Sequence, residues 1–236
     1  MTNSNKIIKT NIGYTPALSR IFIEILSNAV DNAIRSKGSP TPSTYIKINI
    51  NENLSTSVMN DGAIIPIVIN EESKLFNHSL IFGKLLTGSN YDDEDERVVA
   101  GRNGLGSKCT CIFSNRFEVE GIDPINQKML NQVWTSNMKL TNGPTITKST
   151  IKKGSTKVLY DVDFSRFSPE AKTDIRSLYH KYIVDSAMIC SQMGVKVFYN
   201  DVLIESNSLP KYALYFVAGV AGVGGLAPYV GFLLKN

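Results

Sequence analysis

Residues Leu80–Lys108 read LIFGKLLTGSNYDDEDERVVAGRNGLGSK and end in a glycine-spaced loop closed by a lysine. Gly101, Gly104 and Gly106 alternate with polar residues, and Lys108 follows two positions after the last glycine. Glycine admits positive φ and lets backbone N–H groups approach a ligand closely. Successive N–H groups turned into one concavity, beside a helix start, make an anion site. Lys108 adds a point charge suited to a terminal phosphate. A Walker A loop needs Gly-Lys-Ser/Thr, whereas the order here is Gly106-Ser107-Lys108. A dinucleotide fingerprint needs a preceding strand, and the acidic run Asp92–Arg97 is none. Three glycines alone also suit a plain flexible turn, so the reading depends on what surrounds them.

Upstream, Leu18–Ser36 reads LSRIFIEILSNAVDNAIRS. At 100° per residue Arg20, Glu24, Ser27, Asn28, Asp31, Asn32 and Arg35 share one polar stripe. Phe22, Ile23, Leu26, Ala29, Val30 and Ala33 cover the other side. A solvated stripe favours Lys, Glu and Gln; Asn, Asp and Ser are weak helix formers. Their concentration within two turns makes sense if the side chains bind something. Glu24 and Asn28 project together at i and i+4. A carboxylate there can polarise a water, and an amide oxygen can ligate Mg²⁺.

Two further pieces lie on strand ends. Asn60-Asp61-Gly62 pairs an amide and a carboxylate with glycine, which suits a base edge where backbone passes close to a ring; it is also strong turn chemistry. Gly154-Ser155-Thr156 opens a strand and offers hydroxyls to the same place.

In this order the four pieces resemble the four boxes of the GHKL ATP-binding superfamily, which includes DNA gyrase, heat-shock chaperones, histidine kinases and MutL-type repair proteins. PALSRIFIEILSNAVDNAIRS, SLIFGKLLTGSNYDDEDERVVAGRNGLGSKCTCIFSNRF and VKVFYN are similar to the ATPase domain of eukaryotic-type (type IIA) DNA topoisomerase II, also found in large DNA viruses. The resemblance runs from about Tyr14 to Tyr215.

It implies an α+β Bergerat fold: a two-layer sandwich of a mostly antiparallel sheet with helices on one face. It implies ATP and Mg²⁺ as cofactors. Glu24 matches the general base, Asn28 the Mg²⁺ ligand, and Asn32 a residue beside the phosphates and sugar. Asn60 and Asp61 match adenine contacts, and Thr156 the strand behind adenine. Ser89 and Asn90 match residues around ribose and phosphate. Arg102, Asn103, Gly104, Leu105, Gly106 and Lys108 match the phosphate-binding lid. In the family, ATP clamps two such domains around a DNA segment, so DNA and a second subunit are the implied partners.

Departures from the pattern set further expectations. Ile64 stands where the family has a second glycine, and a β-branched residue there resists positive φ and threatens to crowd the pocket. The strap before Tyr14 is partial, which weakens the expected homodimer. The γ-phosphate lysine of the transducer domain, the DNA-cleaving tyrosine and the acidic Mg²⁺ motif are not in the chain. The expected organisation is a partial N-terminal arm at 1–13, a GHKL ATPase domain at 14–210 and an atypical apolar, glycine-rich tail at 211–236. The expected function is the ATPase unit of a type II topoisomerase, present as a fragment and slow in turnover. The alternative is a non-catalytic nucleotide-binding or interaction relic.

Bulk properties agree with a globular domain. The chain has 236 residues, 42% hydrophobic and 19% charged, enough for a proper core. A net charge of +4 without a basic run does not mark a nucleic-acid binder by itself. Three irregularly spaced cysteines and two histidines argue for a reducing compartment and against a zinc site. No secretory stretch opens the sequence, and the nucleus, or a viral or cytoplasmic setting if virus-encoded, is expected. Tyr212–Leu234 carries no charge over 23 residues and has the length of a membrane span, but its glycines and proline favour a disordered or aberrant tail over an anchor.

The patterns predict helices at Thr15–Lys37, Ser73–Leu86 and Ser107–Ser114, and a long one from Ser168 to about Met193. They predict strands around Ile46–Ile50, Leu54–Met59, Phe117–Glu120, Gln132–Ser136, Thr156–Asp161, Val195–Tyr199 and Val202–Glu205, the last two joined at Asn200-Asp201.

Overall fold

The computed structural model describes residues 11–84, 105–206 and 208–215. Eight strands form one sheet in the order β5-β4-β3-β6-β2-β1-β7-β8, antiparallel except for β1 against β7. They are β1 (Tyr45–Ile50), β2 (Thr56–Asp61), β3 (Ser114–Asp123), β4 (Lys128–Thr135), β5 (Leu140–Lys148), β6 (Ser155–Val162), β7 (Lys196–Tyr199) and β8 (Val202–Leu203). Helices α1 (Pro16–Ser36), α2 (Asn77–Gly83), α3 (Gly106–Ile112) and α4 (Ile175–Ser191) join the core on one face of the sheet, and a short α5 (Leu209–Leu214) follows. This is the expected α+β architecture.

Strand alternation builds the core. Ile46, Ile48 and Ile50 face the helices with Val58, Val158, Tyr160, Phe117 and Val119 of the neighbouring strands. Leu18, Phe22, Ile25, Ala29 and Ala33 recur at helical spacing on α1 and are at most 4% exposed. Phe22 stacks on Tyr179 of α4 at 4.1 Å between centroids, and the Tyr179 hydroxyl donates to Leu18 O at 3.0 Å. The aromatic pair and buried hydrogen bond fix the two long helices against each other.

Several boundaries differ from the sequence reading for identifiable reasons. Leu54 is buried but has φ 69° and closes the turn between β1 and β2, so β2 starts at Thr56 and runs through Asn60 and Asp61. Asn60 is therefore a strand residue. Lys74, at φ 58°, and a bridge between Ile69 and Phe76 hold the stretch before α2 out of helix, which begins at Asn77. The long helix from Ser168 is broken: Pro169–Lys172 is one 3₁₀ turn, and α4 starts only after Asp174, at φ −109° and ψ 2°. Asp174 Oδ2 accepts Gly13 N at 2.8 Å and ties the N-terminal segment to the break. The Asn200-Asp201 turn has φ of 47° and 62°, as a two-residue hairpin demands.

All three cysteines are free. Cys111 and Cys190 are buried, and burial pushes both thiols up to about 12. Among the described residues no helix is long and apolar enough to cross a membrane, and most of Tyr212–Leu234 lies outside them.

Candidate functional site

The apolar rows on the helix-facing side of the sheet end in a polar one. Asn60 lies directly opposite Thr156, and Thr156 opposite Gly121, so the three share one cross-strand row. The next rows along are apolar, with Val58, Val158 and Val119 in register. Asn60 is 8% exposed, and its Nδ2 donates to Asp61 O at 3.0 Å. That bond fixes the amide so that Oδ1 is left to accept from a ligand. An acceptor here matches an exocyclic amine better than a carbonyl.

Asp61 points elsewhere. Its Oδ1 accepts from Ser43 Oγ at 3.1 Å, Thr44 N at 2.8 Å and Tyr45 N at 3.0 Å. Its Oδ2 accepts from Thr44 Oγ1 at 2.6 Å and Lys153 Nζ at 2.5 Å. Burial alone would raise this carboxyl, but Lys153, Thr44 and Tyr45 outweigh it and hold the pKa below the ordinary value. The carboxylate organises the entry to β1, and these donors leave it little capacity for a base. Lys153, three residues before Thr156, was not singled out from the sequence; a lysine just ahead of Gly-Ser-Thr was the available signal.

Asn32 clamps the turn beyond Asp61. Its Nδ2 donates to Ala63 O at 2.6 Å, and Ala63 N donates back to Oδ1 at 3.1 Å. Gly62 between them takes φ 112°, and a Cβ there would stand 2.7 Å from Asn32 Oδ1 and 2.9 Å from Ser43 Cβ. Only glycine fits both demands. Ile64 keeps a negative φ, so the positive φ it was expected to resist is not required of it. Its Cγ2 packs over Gly154, in the space a side chain there would fill.

Glu24 closes the other side. Its Oε1 pairs with Arg20 on the exposed edge of α1. Its Oε2 lies against the backbone of Gly106, the first residue of α3, where an ideal Cβ would come within 1.8 Å. The start of α3 carries the positive end of the helix dipole, which favours a carboxylate. Asn28, one turn along, is exposed, and Asp31 on the same stripe is 4% exposed. Lys108 stands two residues past Gly106, only 1% exposed, and burial lowers the pKa of its ammonium. Leu105 is half-buried at the cap of α3.

Thr110, which the sequence reading passed over, holds this arrangement. Its hydroxyl donates to Ile21 O of α1 at 3.0 Å and to Gly106 O at 3.2 Å. It pins α3 to the helix that carries Glu24. Ser89, Asn90, Arg102, Asn103 and Gly104 lie outside the described residues.

The donor set suits a hard oxygen-seeking cation beside phosphate: a carboxylate and an amide one turn apart, with a buried lysine nearby. Among the described residues no group of three or more His, Cys, Asp or Glu gathers as a metal site. Asn28, the residue expected to hold Mg²⁺, is exposed on α1 and could offer one amide oxygen.

Comparison with known proteins follows the same lines. No protein-family model matches the chain. Over 223 residues it is 42% identical to DNA topoisomerase 2 of Invertebrate iridescent virus 6, covering 91% of this chain and 20% of that protein. Over 217 residues it is 40% identical to DNA topoisomerase 2 of Plasmodium falciparum, covering 86% and 16%. The ATPase region of Saccharomyces cerevisiae topoisomerase II superposes with a TM-score of 0.81 at 33% identity, over 88% of this chain and 54% of that one. The chain belongs to the type II DNA topoisomerase family. Its match falls on the ATPase region of those enzymes, and it spans about a fifth or less of the length of the curated relatives.

Proposed function

We propose that this chain binds ATP and hydrolyses it as the ATPase unit of a type II DNA topoisomerase. The observation that carries the reading is the seating of Glu24 on Gly106 at the start of the helix that also bears buried Lys108. A carboxylate then sits on the start of a helix whose first turn also bears a buried lysine. In this reading Glu24 takes the proton of the attacking water, and Arg20 orients its carboxylate. Asn28 offers its amide oxygen to Mg²⁺, which supplies charge that neutralises the phosphates. Lys108 stabilises the terminal phosphate, and its low-dielectric setting strengthens that interaction. Arg102, Asn103, Gly104, Leu105 and Gly106 belong to the phosphate loop, with Ser89 and Asn90 by the ribose. Asn60 Oδ1 accepts from the adenine amine, and Thr156 stands behind the base. Asp61 and Asn32 act as positioning residues for that turn.

DNA strand passage and a homodimeric clamp would belong to a longer assembly of this family, with nuclear or virus-associated location following from the same reading. The test compares the wild-type chain with Glu24→Gln. ATP binding with Mg²⁺ should survive while hydrolysis falls by on the order of a hundredfold or more. Equal turnover in the two proteins would remove Glu24 from the base role.

A further inference from the structure

His78, on α2, is fully buried, and neither ring nitrogen has a hydrogen-bond partner among the described residues. Buried polar groups in a native structure are seldom left so, and each such group calls for a partner. The ring sits on Gly121 of β3. An ideal Cβ on Gly121 would meet Nε2 at 2.4 Å, ahead of Cε1 at 3.1 Å and Cδ2 at 3.2 Å. The missing side chain at Gly121 is thus the space the imidazole occupies, and a nitrogen leads the ring into it.

Gly121 is the register partner of Thr156, which is the register partner of Asn60. Directly paired residues on one face have Cβ positions about 4.5–5.5 Å apart. A nitrogen 2.4 Å from the Gly121 Cβ position therefore lies within about the reach of one bridging water of Thr156. Beyond His78 the polarity turns structural. Asp123, next on the same face of β3, is taken up by Ile67 N at 2.8 Å, Asn126 N at 2.9 Å and Asn126 Nδ2 at 2.7 Å. Ser79 is taken up by Gln132 at 2.7 Å. The His78 ring nitrogens, by contrast, carry no hydrogen bond among the described residues, and Asp123 acts on the ring only through its charge.

We propose that His78 extends this row as a base-reading residue of the nucleotide site, positioned behind the purine edge and coupled to it through one water held with Thr156. The proposal rests on the ATP reading above and deepens it. Burial lowers the imidazole's pKa to about 4, so the ring is neutral at physiological pH and offers one donor and one acceptor to a neutral base. A purine edge, with an amine beside a ring nitrogen, is complementary to that pair.

The experiment measures calorimetric affinities of the full chain for AMP-PNP and GMP-PNP, with Mg²⁺, in wild type, His78→Phe and His78→Gln. His78→Phe should weaken AMP-PNP by about tenfold while changing GMP-PNP much less, so the preference for adenine narrows. His78→Gln, which keeps a donor and an acceptor, should recover part of it. An unchanged preference in His78→Phe, or equal loss for both nucleotides, overturns the assignment. Should His78→Phe fail to fold, the imidazole ¹⁵N shifts of the wild type decide. They should move on AMP-PNP addition, and unmoved shifts in a nucleotide-bound protein contradict the proposal. A wild type that binds neither nucleotide overturns the ATP reading itself, a distinct result from binding without base discrimination.

Discussion

Glu24 and Gly106 are packed so closely that one methyl group on the glycine would stand 1.8 Å from the glutamate Oε2. The contact joins the polar stripe of α1 to the first residue of α3 and makes two distant sequence motifs one site. Gly106→Ala must push the carboxylate aside or shift α3. The expected stability loss is on the order of 1–3 kcal/mol. ATP turnover should fall further, by on the order of a hundredfold, since Glu24 leaves its position. Steady-state hydrolysis beside thermal unfolding checks this; a fully active Gly106→Ala would mean that the contact does not matter to chemistry.

Thr110→Val removes one hydroxyl from the α1–α3 seam and keeps the shape. The lost bond to Ile21 O should lower stability by about 1 kcal/mol, measurable as a shift in urea midpoint. Turnover should drop more than affinity, because α3 carries both Gly106 and Lys108. A drop in affinity alone would argue against Thr110 as the tie between the two helices.

The Asp61–Lys153 pair predicts a pH signature. Asp61 has a folded pKa below its ordinary 3.8, so it contributes stability above that value and loses the contribution as pH falls through the folded pKa. Lys153→Met should destabilise the protein by roughly 1 kcal/mol at neutral pH, a modest figure because the lysine side chain is 57% exposed. The difference from wild type should stay level above about pH 5 and shrink in acid. A difference that grows as pH falls would reverse the assigned sign.

What could be read from the sequence was what periodicity and local chemistry encode. The α1 stripe, the Ile46–Ile50 alternation and the Asn200-Asp201 turn all appear where their patterns place them. β5 escaped because it is an exposed edge strand, and TNGPTITK shows no buried alternation. The break before α4 escaped because Pro169 starts a 3₁₀ turn as well as it starts an α-helix, and the interruption depends on Asp174 and its tie to Gly13. At the site, residue types marked Glu24, Asn60 and Lys108, whereas the commitment of Asp61 to the β1 entry, the clamp made by Asn32 and the pin at Thr110 arise from contacts between residues far apart in the chain. His78 carried no pattern at all; only the absence of a side chain at Gly121 reveals it.

In the proposed site α1, α3 and the Asn60–Thr156 row enclose one ATP. The most direct test is a calorimetric titration of the full chain with AMP-PNP and Mg²⁺, in wild type and Lys108→Ala. The wild type should bind stoichiometrically, and affinity should fall by at least about tenfold when the buried ammonium is removed from the terminal phosphate. Binding of equal strength in both proteins, or none by a folded wild type, would contradict it.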